Sequence, residues 1–412
     1  MPGFRVLAID DDSVDVVISV ETVVDRLACP ACGVFARSKG RRWVTLRDAP
    51  AGDRPVTLRW WKRIGACGEV LCPMRTWTEQ HPELVLPGRV LTQRAARWAA
   101  GRIAAIEATP ASMARQLGVT WSTIWAAVIR HGVVDDTRTA VQVGFDETVM
   151  SPARLGRRRR FVTAAVDLTD GVIIDVFDGR AAVDVHEWLA AQPDEWVAAI
   201  RTVCADLHGS YRSAIRSSPL ATAVMVVDPF HVVRTANEAV TKCRTRVQHA
   251  RHGHRGRRDD PLYATRKLLL IGAERLDQHG WDRLRDVLTD DLLEVWAGKE
   301  LVRDIYLTND ADEAKRRLER ALQWCSDPDA PDELAALAKT LRKWRHEVLA
   351  HHSTGASNAK AEAANVTIKN VKRSGRGFRN LANYRHRILL ASQHSRHAPN
   401  VTRHRARPRP IA

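Results

Sequence analysis

Apolar and polar positions alternate with a period of two in "RRWVTLRD" and "RPVTLRWWKRI", and the turn "APAGD" joins them, which predicts an antiparallel pair of strands. The period then lengthens. In "TPASMARQLGVTWSTIWAAVIRHG" Met113, Ala114 and Leu117 form one apolar helical face, with Thr109 placed to cap and Pro110 at the first helical position. Gly118 permits a tight turn, and Thr120 caps a second helix, Trp121 to Arg130, whose Ile124 and Val128 face inward. This pattern reads as a helix-turn-helix; an ordinary helical hairpin would share it. From Val141 the period returns to two: "VQVGFDETV" is a short apolar run ending at Asp146, which places that aspartate near a strand end, and "RRRRFVTAAVDLTDGVIIDVFDGR" is a hairpin with Asp170-Gly171 at its turn. The helix "AAVDVHEWLAAQ", the strand "IRTVCADLH" with Asp206 at its end, a helix after Gly209 and the strand "ATAVMVVDPFH" follow.

Three strands, helix, strand, helix, strand is, by fold-level analogy, the order of a ribonuclease-H-like mixed sheet, an α/β core. In that arrangement the first and fourth strands are neighbours, so Asp146 and Asp206 would face each other. A long helical region with Trp281, Trp296, Trp324 and Trp344 runs to about His351, and only then does a helix carrying Glu362 begin, capped by Ser357 or Asn358. The expected organisation is a zinc-ribbon domain at 1–85, a helix-turn-helix domain at 86–135, the first part of the core at 136–240, a helical insertion at 241–351, the core's completion at 352–395 and a basic tail at 396–412.

Composition narrows the class of partner. Across 412 residues Lys and Arg outnumber Asp and Glu by 64 to 48, a net charge of +16, so a polyanion, nucleic acid first, is the expected partner. No apolar stretch approaches the roughly 18 residues of a membrane span and the N-terminus "MPGFRVLAIDDDSVDVV" lacks a basic region followed by an apolar run, so a cytoplasmic location is expected. Four of the seven cysteines form two close pairs, Cys29/Cys32 and Cys67/Cys72, flanking the first two strands as the knuckles of a zinc ribbon do. Four thiolates would close the shell of one structural Zn2+. His81 is a spare ligand, and Cys204, Cys243 and Cys325 are expected to be buried thiols. The run Asp10-Asp11-Asp12 reads as a solvated loop.

Charge also isolates one residue: from Val348 to the C-terminus Glu362 is the only acidic side chain among thirteen Lys and Arg. One carboxylate neutralises little there, whereas three from separate segments, Asp146, Asp206 and Glu362, can converge on a metal site. Two Mg2+ ions roughly 3.5 to 4 Å apart activate an oxygen nucleophile and neutralise a leaving oxygen at a phosphodiester, and carboxylates are the ligands Mg2+ prefers. The cations of the same helix, with Lys369 two turns beyond Glu362, would lie along phosphate backbone.

The segments "VGFDETV", "ADLHGSYRSAI", "VVDPFHVVRTANEAV" and "SNAKAEAANVTIKNVKRSGRGFRNLANYRHRILL" resemble the successive blocks of DDE-type insertion-sequence transposases of the family called ISL-three. The loop "GHRGRRDDPLY" also looks like a family block. The resemblance implies that Asp146, Asp206 and Glu362 are the catalytic, Mg2+-holding triad, and that Asp228 and His231 sit close to it, although packing and strand-end capping would explain that pair equally. It further implies DNA as partner, in the form of terminal inverted repeats and target DNA, read by the zinc ribbon and by the helix-turn-helix through Ser122, Thr123, Ala126 and Arg130. Lys369, Lys372, Arg373 and Arg376 would add phosphate contacts, and paired ends call for a homodimer or larger assembly. Ala359, Lys360 and Ala361 stand where the family often has Gly and Pro, and His208 where a small or polar residue is common. A DNA-binding regulator with a degenerate core, and a structure-selective nuclease of the same fold, remain open on these residues.

Overall fold

The computed structural model describes residues 3–11, 14–24, 26–52, 54–135, 137–153 and 158–397. Asp12 and the basic tail beyond 397 lie outside the described residues. Two compact units emerge, 1–135 with 370–412, and 136–369.

The first unit begins with a five-stranded sheet in the order β1 (Phe4–Asp11), β2 (Val16–Thr22), β4 (Arg54–Ala66), β3 (Arg37–Ala51), with β5 (Thr76–Thr78) also paired to β4. The predicted pair is the long antiparallel hairpin β3/β4, and β2 runs parallel to β4. Period-two burial along β4 directs Val56, Leu58 and Trp60 inward, where Leu58 and Trp60 meet Val20, Leu46, Leu84 and Val85. The expected acidic loop is a correction. Asp10 and Asp11 belong to β1, opposite Val17 and Val16, and Asp11 pairs with Arg54. This is an edge strand with its side chains mostly in solvent, so its acidic end reads as a loop while its backbone is held by apolar β2.

Helices α1 (Gln93–Ala104), α2 (Pro110–Leu117) and α3 (Trp121–His131) follow. Thr109 caps α2 with its hydroxyl on the Ser112 amide, and Gly118 ends it in the left-handed region at φ 59°. Thr120 caps α3. Met113, Leu117, Ile124 and Val128 pack against Ala99 and Ile103 of α1, a helix that was not anticipated.

In the second unit the sheet order is β10 (Val224–Val227), β9 (Thr202–Ala205), β6 (Gln142–Ser151), β7 (Arg160–Asp167), β8 (Ile173–Asp178). β9 lies parallel between β10 and β6; β7 is antiparallel to both its neighbours. Helices α4 (Ala182–Ala190), α5 (Asp194–Ala199), α6 (Gly209–Arg216) and α7 (Pro229–His252) interleave with the strands, and α8 to α13 run from Pro261 to Thr354. One face of the sheet, through Val143, Phe145, Val203 and Ala205, shares a continuous apolar core with Trp188, Tyr211 and Ile215 and with Leu318, Leu334, Trp344 and Val348 of the helical region. Cys204, Cys243 and Cys325 are buried as expected. Glu347 of α13 (Arg345–Thr354), itself buried, receives Arg212 at 2.9 Å and Arg216 at 2.8 Å, tying α6 to the helical region.

The other face of β6 presents Gly144 and Asp146 to helix α14 (Ala359–Ser374). A β-carbon at Gly144 would lie 2.7 Å from Asn358 Oδ1 and from Leu168, and 3.3 Å from Ala361. Only glycine admits the helix this close. The last helix, α15 (Leu381–His397), returns to the first unit and adds Leu390 to the core of α1, α2 and α3.

Candidate active site and metal centres

Strand register brings the two aspartates level. Gln142, Val143 and Gly144 pair with Thr202, Val203 and Cys204 in parallel β6 and β9, and the same offset two residues further on aligns Asp146 with Asp206. Glu147 joins them: ligand atoms of Asp146, Glu147 and Asp206 lie within 4.8 Å of one another. A second cluster with the same spread contains Asp228, His231 and Glu362. His231 links the two, its Nε2 3.0 Å from Asp206 Oδ1 and 3.9 Å from Glu362 Oε1. The expected trio is thus divided between adjacent clusters, with Glu362 reaching Asp206 through His231.

Local structure fixes each member. Asp228 caps α7, accepting from the Phe230 amide at 3.1 Å with Pro229 at the first helical position, and its other oxygen accepts from the Asn358 amide at 2.8 Å. Asp228 is buried. One carboxylate therefore ends strand β10, starts α7 and pins the start of α14. His231 lies on the first turn of α7, and Glu362 on the first turn of α14, where its amide donates to the Asn358 carbonyl at 2.9 Å. One turn on, Asn365 donates from Nδ2 to Asp146. Tyr211 donates its hydroxyl to Glu147 at 3.0 Å, and Arg180 is 3.9 Å from the same carboxylate.

The electrostatics are those of crowded negative charge. Burial, then the charges of Asp206 and Glu147, push Asp146 up to about 7. His231 is raised by its hydrogen bond to Asp206, against burial, with Asp228 and Glu362 adding to the field. Carboxylate oxygens with one imidazole are a hard donor set suited to Mg2+ or Mn2+. A divalent cation would relieve the repulsion that holds a proton on Asp146, so the residues present fit such a group.

Sequence reasoning passed over Glu147 and Asn365, and placed Asn358 at the start of the Glu362 helix without its bond to Asp228. Asn365 was within reach, since residues three apart share a helix face and Glu362 was already on it. Glu147 was hidden by strand alternation, which sends it to the face opposite Asp146, toward Tyr211.

The cysteines form a second cluster with the spacing of metal ligands. Sγ atoms of Cys29, Cys32, Cys67 and Cys72 all lie within 4.8 Å of one another, with Cys29 to Cys72 at 3.7 Å and Cys32 to Cys67 at 3.5 Å. A tetrahedron of Zn–S bonds of about 2.3 Å has edges near 3.8 Å, so the four fit Zn2+. These separations are far beyond a disulfide bond of about 2.05 Å. Burial works against ionising Cys29, yet amide donors of Cys32 and Ala31 bring it down to about 7, whereas burial and the neighbouring thiols push Cys72 up to about 12. His81 is no member of the cluster. It packs on Phe4, ring centroids 4.8 Å apart, because the chain after Cys72 turns back to pair β5 with β4 and carries it away.

Ser122 and Arg130 are exposed on α3, with Thr123 and Ala126 half-buried beside them. Lys369, Arg373 and Arg376 are exposed and Lys372 is half-buried, Lys369 closing the second unit and the other three belonging to the first. Among the described residues no helix is long and apolar enough to cross a membrane.

An α/β core with clustered carboxylates, in a chain that also carries a four-cysteine cluster, defines a class of metal-suited proteins rather than one reaction. Comparison with known proteins supplies the reaction. A family model described as "Transposase", that of the ISL3 type, matches residues 143–388, and the chain belongs to this family of insertion-sequence transposases, enzymes that cleave and transfer DNA. Over 393 residues it is 25% identical to the transposase for insertion sequence element IS1557 of Mycobacterium tuberculosis, in strains CDC 1551 / Oshkosh and ATCC 25618 / H37Rv, spanning 84% of this chain and 85% of the relative.

Proposed function

We propose that the chain binds the terminal inverted repeats of its element and cleaves and transfers DNA strands at a site built from Asp146, Asp206 and Glu362, in a ribonuclease-H-like core. The observation that carries this reading is the alignment of Asp146 and Asp206 on adjacent parallel strands, with the Glu362 helix fastened over them by Asn358 to Asp228 and Asn365 to Asp146. The sheet order, with β7 alone reversed, supports the fold assignment. Two Mg2+ ions, when bound, would supply charge neutralisation at the scissile phosphodiester and its leaving oxygen and a lowered pKa for the attacking water.

The protein's own groups have distinct tasks. Asp146, Asp206 and Glu362 hold the cations, and Glu147 is placed to assist. Asn365 orients Asp146 and leaves its second oxygen for the site, while His231 orients Asp206 and partly offsets its charge. Asp228 acts through position, since both its oxygens are engaged by backbone amides. In the first unit Zn2+ on the four cysteines stiffens the ribbon. The pair α2 and α3, with its Gly118 turn, serves as a helix-turn-helix, and Ser122, Thr123, Ala126 and Arg130 meet base edges. Lys369, Lys372, Arg373 and Arg376 contact phosphates, two ends require at least a dimer, and the setting is the bacterial cytoplasm and nucleoid.

Glu362→Gln tests the site. It keeps size and removes a negative ligand, so cleavage of a repeat-ended duplex in Mg2+ should fall by a factor on the order of 10³ while repeat binding on the same preparation is retained. Undiminished cleavage would remove Glu362 from the site.

A further inference from the structure

The first unit contains a basic groove that neither metal centre uses. It has a volume of ≈ 680 Å³, lies between the outer side of α2 and α3 and the segment Ser374–Arg387, and is walled by Arg115, Arg376 and Arg379 with the rings of Trp121, Trp125 and Phe378. At its base is Arg387, 1% exposed, whose Nε and Nη2 are buried without a hydrogen-bond partner. Burial alone depresses this guanidinium, to about 10, and no carboxylate offsets it. Glu107, the acidic residue among the lining side chains, is engaged by Arg102 at 2.9 Å.

An unpaired guanidinium deep in a protein is costly, and such groups are ordinarily paired with an anion. Among the described residues none is offered to Arg387, while solvent-exposed arginines and an aromatic wall line the same groove. Trp121 is 45% exposed and stacks on Trp125 at 5.4 Å, leaving a ring face open. Trp121 and Trp125 are four apart on α3, on a different stripe from Ser122, Ala126 and Arg130, so the groove is separate from the helix face assigned to the duplex. A planar aromatic ligand carrying a phosphate matches both halves, and a volume of this size accommodates one nucleotide.

The geometry points to a pocket for an unstacked nucleotide of DNA, its phosphate on Arg387 and its base on Trp121. This rests on the DNA-binding reading above and adds a single-stranded subsite to it. A nucleotide drawn from a frayed or nicked end would be held here by stacking and charge, which are tolerant of base identity.

The full-length protein, titrated with oligothymidylate, with a flush duplex and with inorganic phosphate alone, tests this by tryptophan fluorescence and anisotropy. Oligothymidylate should quench tryptophan emission, and Arg387→Met and Trp121→Ala should each weaken its binding about 10-fold or more. Arg387→Met should leave flush-duplex affinity within about twofold and raise the melting temperature, a gain that a merely structural arginine would not give. Equal oligothymidylate affinity in the parent and both variants overturns the pocket, as does inorganic phosphate binding as tightly as the oligonucleotide. Duplex binding without oligothymidylate binding sinks this inference alone; binding of neither sinks the DNA-binding reading with it.

Discussion

The two candidate metal centres are built on opposite plans. Cys29, Cys32, Cys67 and Cys72 come from two knuckles on one ribbon and offer four identical soft ligands, enough to close a tetrahedron with no position left over. Asp146, Asp206 and Glu362 come from a strand, a strand end and a distant helix and offer hard oxygens, and burial, then the charges of Asp206 and Glu147, push Asp146 up to about 7. In the first cluster a bound ion would stabilise the fold; in the second the fold holds carboxylates together in a partly buried, crowded place. A site that must open to substrate is assembled by the second route, because a shell completed by protein has no place for a reacting group.

The largest expected effect lies at the closed centre. Cys67→Ser should release zinc, measured by metal analysis, and unfold the first unit, since structural zinc contributes on the order of 10 kcal/mol of binding free energy to folding. Freshly purified protein without zinc would remove this half of the contrast.

At the open centre the support is the vulnerable part. Gly144→Ala inserts a carbon where Asn358 Oδ1 stands 2.7 Å away, so it should cost about 1–3 kcal/mol of stability by overpacking. By shifting the Glu362 helix it should also lower cleavage by roughly 100-fold with repeat binding unchanged. Parent-like cleavage would mean that the placement of α14 is not critical. Asn365→Ala sharpens the same point on a smaller scale: it frees Asp146 while the bond from Asn358 to Asp228 still holds the start of the helix, and cleavage should fall about 10-fold, with a higher Mg2+ concentration needed for half-maximal rate.

The smallest effect concerns proton linkage. Asp146 is raised from an ordinary 3.8 to about 7 in the folded, ion-free protein, so the native state keeps a proton that the unfolded chain releases as pH rises between those values. Stability from this group is therefore full below pH 4 and lost as pH passes 7. Asp146→Asn should melt higher than the parent by about 2–4 °C at pH 8 in EDTA and equally at pH 4, and Mg2+ should close the gap by stabilising only the parent. A parent that melts higher at pH 8 in EDTA would contradict the crowding of charge at this site.

Much of this was legible because local patterns carry it. The β3/β4 hairpin follows from alternation in "RRWVTLRD" and "RPVTLRWWKRI", and α2 and α3 follow from Thr109, Pro110, Gly118 and Thr120, each of which occupies the predicted position. Asp206 follows the end of its strand as expected, whereas Asp146, expected near a strand end, lies in the middle of β6 because the strand continues past it to Ser151; strand order still made the two neighbours. The rest depended on contacts between residues far apart in sequence. Nothing local to Asp228 reveals that its second oxygen meets the Asn358 amide, or that Gly144 is small because of Asn358 and Leu168. Edge strand β1 was missed because pairing through backbone leaves no mark on side chains that face water, and α1 because its alanine-rich face, Ala95, Ala96, Ala99 and Ala100, is apolar without being bulky.

Leu390 completes the core of helices that end by His131. On the ribosome, at about 5–20 residues per second, the two are separated by on the order of tens of seconds. Helices α2 and α3, proposed to face DNA, are therefore left without one wall of their core until Leu390 has been made, and Asp146, Asp206 and Glu362 have all been synthesised by then. On the proposed function, timing thus favours a molecule equipped to cut over a nascent chain that merely occupies DNA.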